Sequence, residues 1–180
     1  MGVDGSDPIE IVDPDPAWAS QGEAAAAEVA DALEAYVVEV QHIGSTAVSD
    51  LPAKPVIDLL VGVRTLDDTP AIVAAVTGLG YEYVPEFEDE LPDRRYFRRF
   101  THGVRSHQVH LVERTDTEWW DRHVAFRDWL RTHDDDRDAY ADLKRRLAVE
   151  HRDDRAAYTD AKSDFIHAIE RRLGVRPTEG

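Results

Sequence analysis

The spacing of apolar positions changes several times along the chain, and each change marks an element. Ala17 to Ala35 is rich in Ala and Glu and predicts a helix, with P-D-P-A-W ahead of it offering Asp15 as N-cap and Pro16 as first helical residue. Tyr36 to Ile43 alternates and is β-branched, the pattern of a strand. Pro55 to Val63 is almost continuously apolar, which predicts a central strand buried on both faces. Pro70 to Leu79 predicts a short helix stopped at Gly80, and Tyr81 to Pro85 another strand. After an acidic loop, Arg94 to Thr101 and Arg105 to Glu113 predict a hairpin joined by T-H-G-V. Beyond Thr115 only helical spacing remains, over 116–133, 134–150 and 153–173, each run starting at an Asp-rich turn.

This order predicts an α+β protein, a mixed β-sheet flanked by helices with a C-terminal helical segment. The expected division is a tail over 1–15, an α+β core over 16–115, a helical segment of the same compact unit over 116–173, and a tail over 174–180. Within the central strand one residue breaks the pattern. Asp58 sits inside V-I-D-L-L-V, and a carboxylate there is costly unless hydrogen-bonded, paired or bound to metal.

The chemistry around Asp58 has a recognisable outline. Gly44-Ser45 after one strand and an acid in the middle of the next resembles the signature of the nucleotidyltransferase fold. There a small-residue turn presents N–H groups and a hydroxyl to phosphate, and alternate strand positions hold two carboxylates for Mg²⁺. Here the second acidic position is Leu60. The outline also admits a structural reading, a plain turn followed by a buried hydrogen-bond acceptor.

Longer motifs narrow the field. H-I-G-S-T-A-V at 42–48 and L-P-A-K-P-V-I-D at 51–58 are similar to the central motif of the GrpB family, a nucleotidyltransferase-like family also found fused to dephospho-coenzyme A kinase. The resemblance continues through D-P-A-W at 15–18, R-R-Y-F at 94–97, H-Q-V-H-L-V at 107–112, F-R-D-W-L-R at 126–131, Y-A-D-L-K at 140–144 and Y-T-D-A-K-S-D-F-I at 158–166. It implies a small sheet of nucleotidyltransferase type, with C-terminal helices closing a cleft. The chain reads V-S-D-L at 48–51 where the family usually reads V-P-G-L, so Asp50 brings a negative charge near the phosphate loop. Lack of a second acid at Leu60 is usual in the family.

Composition adds a clue from scarcity. The chain has 23 Asp and 14 Glu against 18 Arg and three Lys, a net charge of -16. The lysines are Lys54, beside the Gly-Ser turn, and Lys144 and Lys162, each four residues after a tyrosine and so on one helix face with it. A compact ammonium suits phosphate, although helix-surface ion pairing explains the retention equally well. His107 and His110 fall on opposite faces of their strand and cannot both bind one metal; His110 is the candidate to supplement Asp58, and a hydrogen-bonded structural histidine is the equal alternative. Arg95 represents the one dense basic patch, Arg94 to Arg99.

The expected site therefore has Asp58 and His110 as catalytic residues and Mg²⁺ ligands. Gly44, Ser45, Thr46, Lys54, Arg95, Lys144 and Lys162 bind the phosphates of a nucleotide or phosphorylated small molecule. The expected activity is Mg-dependent nucleotidyl transfer, and the alternative is a ligand-binding or adaptor protein that kept the cleft without the chemistry. Nucleic acid is not expected as a partner, since its phosphates would be repelled. With no apolar run of membrane-spanning length and no signal-peptide pattern, the chain reads as cytoplasmic; the absence of cysteine rules out disulfides and thiolate chemistry without bearing on compartment. Oligomeric state is not legible.

Acidic residues are spread over every predicted helix rather than gathered in one tail, which fits adaptation to high salt, where self-repulsion is screened. The fold is expected to be lost in dilute buffer and recovered at molar salt. Circular dichroism across a salt titration checks this, and full stability without salt refutes it.

Overall fold

The computed structural model describes residues 9–115 and 117–175. Residues 1–8 of the expected N-terminal tail, Asp116 at the start of the first C-terminal helix, and the last five residues of the C-terminal tail lie outside the described residues. The chain runs α1 (Ala17–Ala32), β1 (Val37–Ile43), β2 (Ile57–Val63), α2 (Thr69–Gly78), β3 (Glu82–Tyr83), β4 (Arg94–Thr101), β5 (Val104–Glu113), α3 (Thr117–Thr132), α4 (Asp134–Glu150) and α5 (Arg155–Leu173). The five strands form one mixed sheet in the order β1-β2-β5-β4-β3. Only β2 and β5 run parallel. This is the α+β class with a C-terminal helical segment that the spacing predicts.

Local chemistry accounts for the ends of the elements. Asp15 accepts from the Ala17 N–H at 2.8 Å, and Pro16 already has helical dihedrals, so the two start α1 together. Asp154 caps α5 by accepting from the Ala157 N–H at 3.0 Å. The β4–β5 connection is a two-residue turn in which His102 and Gly103 both have positive φ, 52° and 79°, matching the twist of the hairpin. The run from Tyr81 to Pro85 gives only a two-residue edge strand, because Pro85 opens a 3-10 turn ending at Phe87.

β2 is buried along nearly its whole length, as its apolar run requires. Alternation sends Ile57, Leu59, Val61 and Val63 to the face covered by α1 and α2, where they join Val29, Leu33, Ile72, Phe97 and Val109. The opposite face carries Asp58, Leu60 and Gly62, and here the C-terminal helices pack. Trp120 of α3 buries against Ile43, Leu60 and Val112. Further along, Leu130, Tyr140 and Ile169 from α3, α4 and α5 enclose Val48 and Leu51 of the connection between β1 and β2. Each fully buried aliphatic side chain contributes about 1.5–3 kcal/mol to this docking.

Leu60 is 0% exposed and seats Trp120, so an acid at that position has no solvent and leaves the packing under Trp120 unfilled. Leu60→Asp is expected to lower the unfolding free energy by about 3 kcal/mol or more, from the cavity and the buried charge together. Urea denaturation measures it, and an unchanged midpoint refutes this account of the packing.

Candidate functional site

The site begins at the turn after β1. Ile43 is paired with Asp58 across the antiparallel ladder, and the chain then turns at Gly44, whose φ is 72°. A Cβ at Gly44 would lie 2.4 Å from Asp58 Oδ2, so both the dihedral and the carboxylate exclude a side chain. Ser45 opens a 3-10 turn through Ala47. On the other side, β5 runs parallel to β2 with Gln108 opposite Asp58, and the Gln108 amide donates to Asp58 Oδ1. One carboxylate of β2 thus packs against the turn after β1 and accepts a hydrogen bond from β5.

The lysines arrive from two directions. Lys54 follows the β1–β2 connection, while Lys144 and Lys162 come from α4 and α5, and all three line one cleft of about 370 Å³ that has Asp58 in its wall. Lys144 is 2% exposed and donates to Ser45 Oγ at 2.9 Å and to the Pro52 carbonyl. Lys54 and Lys162 lie over the Tyr158 ring at 4.6 and 4.3 Å, and Lys144 over Tyr140 at 4.8 Å. Arg94, Arg105 and Arg155 complete the lining, and Asp58 is the single acidic residue in it. Among the described residues, none of the three lysines, nor Arg94 or Arg105, has a carboxylate within ion-pair distance. In a chain with 37 acids that is a strong local segregation of charge.

Burial and crowding move the proton equilibria of these groups toward neutrality. Burial pushes the Asp58 carboxyl up to about 6, against the opposing pull of Gln108, Lys162, Lys54 and Arg105. Burial, with the neighbouring Arg155, Lys162 and Arg105, pushes Lys54 down to about 7, although Asp58 opposes it. Lys144 falls to about 7 through burial beside Lys162 and Arg145. Lys162 falls to about 8 through burial, with Asp58 holding it up.

His110 also lines the cleft, between the rings of Tyr96 and Trp119. Arg94 donates to its Nδ1 at 3.2 Å, and burial with that guanidinium holds it neutral, well below the usual histidine range. Its proton is therefore on Nε2. This bears on the expected Mg²⁺ site. The donor set offers a divalent cation one carboxylate, already bonded to Gln108 and surrounded by lysines, and one histidine nitrogen taken up by an arginine. A hard dication wants several oxygens and net negative charge. The residues present do not fit it.

Two further expectations change on this geometry. Arg95 does not reach the cleft. Alternation along β4 turns it to the α1/α2 side, where it donates to Thr69 Oγ1 at 3.2 Å and pairs with Glu88 at 3.4 Å, while its neighbour Arg94 faces the cleft. Thr46 lines the cleft, but its hydroxyl donates to the Val56 carbonyl at 3.0 Å and so holds the loop. Asp50 is exposed and does not line the cationic cleft; its φ of 62° is the left-handed conformation that explains a glycine there in the family pattern. Residues missed by sequence reasoning are Arg105, Arg155, Tyr158 and the role of Gln108 as partner to Asp58. Gln108 lies two residues before His110 and shares its face, but its place opposite Asp58 depends on the parallel register, which no local signal shows.

Fold and site together define a class: an α+β protein whose C-terminal helices close a cation-lined cleft over one carboxylate of the central strand. The chain belongs to the GrpB family, whose model, described as GrpB protein, matches residues 8–172. The crystal structure of the conserved protein GrpB from Enterococcus faecalis is similar with a TM-score of 0.82 and 36% identity, over 91% of this chain and 96% of that one. A UPF0157 protein of Streptomyces coelicolor is 37% identical over 166 residues, 92% of this chain and 84% of the relative. A UPF0157 protein of Pseudomonas aeruginosa is 39% identical over 146 residues, 79% of this chain. The chain spans 58% of that relative and 38% of one from Bacillus subtilis. A dephospho-CoA kinase of Mycobacterium bovis matches at 32% identity over 53% of this chain and 25% of its own length, in keeping with the fusion known in the family. Among the described residues no helix is long and apolar enough to cross a membrane.

The three lysines of the cleft are all the lysines in the chain, so they leave a readable signature. Between about pH 7 and the ordinary lysine range near 10, the unfolded chain binds protons that the folded cleft has released. Stability is therefore expected to rise with pH over that window. Asp58 works the opposite way at lower pH: its raised value means stability present near pH 4 is lost as pH rises through about 6. Denaturant unfolding between pH 7 and 9.5 tests the lysine part. Lys144→Met should flatten the slope, and an equal slope in the variant contradicts the assignment.

Proposed function

We propose that the chain binds a phosphate-bearing small molecule, a nucleotide or phosphorylated coenzyme, between the sheet and helices α4 and α5. The observation that carries this reading is the convergence of Lys54, Lys144 and Lys162 with Arg94, Arg105 and Arg155 around the single acid Asp58, in a chain of net charge -16. Crowding six basic side chains in a half-enclosed space costs free energy, which the depressed lysine values register. A multiply charged anion relieves that cost and raises those values again. Ser45, Lys144 and Lys162 are placed to meet phosphate oxygens, and compact ammonium groups act there as point charges.

The same geometry favours binding over metal-assisted nucleotidyl transfer. Two-metal chemistry needs a pair of carboxylates on one strand face. The second position is occupied by Leu60, which is packed under Trp120. Asp58, hydrogen-bonded by Gln108, then packs against the Gly44 turn and serves as the counter-charge among the cations of the cleft. Because a dephospho-CoA kinase carries a matching segment, coenzyme A precursors belong among the ligands to be tried beside nucleotides.

Calorimetric titration with inorganic triphosphate, ATP and dephospho-coenzyme A, with and without Mg²⁺, tests the reading. Binding is expected without added metal and to weaken as pH rises from 7 to 9. Lys162→Met is expected to lose about tenfold or more in affinity, the usual worth of a charge-assisted contact. Asp58→Asn should bind as well as the parent or better. Binding that requires Mg²⁺ and disappears in Asp58→Asn would instead establish the metal-dependent enzyme.

A further inference from the structure

Beyond the cationic cleft, and sharing Ser45, Asp58 and His110 with it, lies a second compartment of about 210 Å³ under α3, α4 and α5. Its character is different. Phe126, Leu130, Tyr140 and Ile166 give it apolar walls, and its two arginines are already satisfied. Arg122 is paired with Glu170, while Arg127 is paired with Asp128 and donates to Gln41 and the His42 carbonyl. No surplus positive charge is left for phosphate.

What remains unsatisfied is one acceptor, a carboxylate oxygen of Glu170. Glu170 is 1% exposed, its Oε1 accepts from Arg122, and its Oε2 has no hydrogen-bond donor among the described residues. A buried carboxylate oxygen left bare costs about 1–3 kcal/mol or more, so its persistence beside a cavity calls for a donor. His123, stacked on Trp119, adds a second acceptor. Its Nδ1 must carry the proton because it faces the Trp119 carbonyl at 2.8 Å, which leaves Nε2 without one.

We propose that this compartment takes the organic part of the phosphate-bearing ligand, that this part is an amino-bearing nitrogen heterocycle, and that Glu170 is the residue that selects it. The inference rests on the anion-binding reading above. Apolar and aromatic walls suit a flat ring, and N–H groups on its edge supply what Glu170 Oε2 lacks. A ring presenting a carbonyl to that oxygen meets acceptor with acceptor and is rejected. Because the two compartments meet at Ser45, Asp58 and His110, one ligand can place its phosphates among the lysines and its ring under α3 and α5. Together they fall in the size range of small-molecule pockets, about 300–1,000 Å³.

The experiment compares inorganic triphosphate, ATP, CTP and UTP by calorimetry on the wild type, Glu170→Gln and Ile166→Trp. On the wild type, ATP and CTP are expected to bind about tenfold or more tighter than triphosphate, and CTP several-fold tighter than UTP. Glu170→Gln, which can turn an N–H toward the ring, should abolish or reverse the CTP preference. Ile166→Trp fills the compartment and should reduce every nucleotide to the affinity of triphosphate, leaving triphosphate itself unchanged. Nucleotides no tighter than triphosphate, a CTP-to-UTP ratio unmoved by Glu170→Gln, or a nucleotide advantage that survives Ile166→Trp each overturn the proposal. If triphosphate itself fails to bind the wild type, the anion-binding reading falls and takes this one with it.

Discussion

The contact between the Asp58 carboxylate and the backbone of Gly44 constrains everything around it. Because Asp58 Oδ2 occupies the space a side chain would need, the chain can leave β1 only through a glycine with positive φ. That turn delivers Ser45 to Lys144 and starts the 3-10 segment whose end, with Val48 and Leu51, becomes the seat of the C-terminal helices. The acid in the central strand is thus a joint between sheet and loop, and through the loop between sheet and helices. Its cost is partly met by the Gln108 amide, which lies in register only because β5 runs parallel to β2.

Electrostatics connects this joint to the proposed binding of an anion. An acid-rich surface attracts cations and repels anions, so a small anion is drawn to this molecule only where the local field is reversed. The fold reverses it by bringing all three lysines and three of its arginines to one cleft, where, among the described residues, no carboxylate stands within ion-pair distance of the lysines, Arg94 or Arg105. Burial lowers the lysine values, and Asp58 supplies a counter-charge to Lys54 and Lys162. Most basic residues elsewhere in the protein are arginines, and several of these are tied to acids, as Arg99 is to Glu28 and Arg172 to Asp136. Every ammonium side chain of the protein thus lies in the cleft, beside three guanidinium groups, while the remaining arginines lie elsewhere.

Much of this was legible from local pattern. The uninterrupted apolar run of β2, the alternation of β1 and the helical spacing after Thr115 specify the elements, because each buried face repeats with the period of its backbone. The scarcity of lysine pointed to Lys54, Lys144 and Lys162 as a set without any knowledge of the fold. What escaped was whatever depends on register or on the side of the sheet. Arg94 and Arg95 are indistinguishable until the phase of β4 is known, and one residue of phase sends a side chain to the opposite face. Gln108 becomes the partner of Asp58 only through a pairing between strands fifty positions apart. Glu170 looked like one more surface acid of a helix; tertiary packing of α5 on α3 buries it, and no periodicity carries that.

Leu60 decides how far the resemblance to nucleotide-transferring proteins extends. A strand offers each position to one face only, so the place two residues after Asp58 can hold either a second metal ligand or the floor beneath Trp120. An acid there requires water or a metal above it, and therefore an α3 that stands away from the sheet. A leucine there allows α3 to close down, which in turn brings Arg122, His123 and Phe126 over the cleft and creates the compartment that Glu170 faces. The leucine beneath Trp120 and the enclosed compartment are then two sides of one packing arrangement. An acid alone at this position would unseat Trp120 and with it the contact of α3 with the sheet.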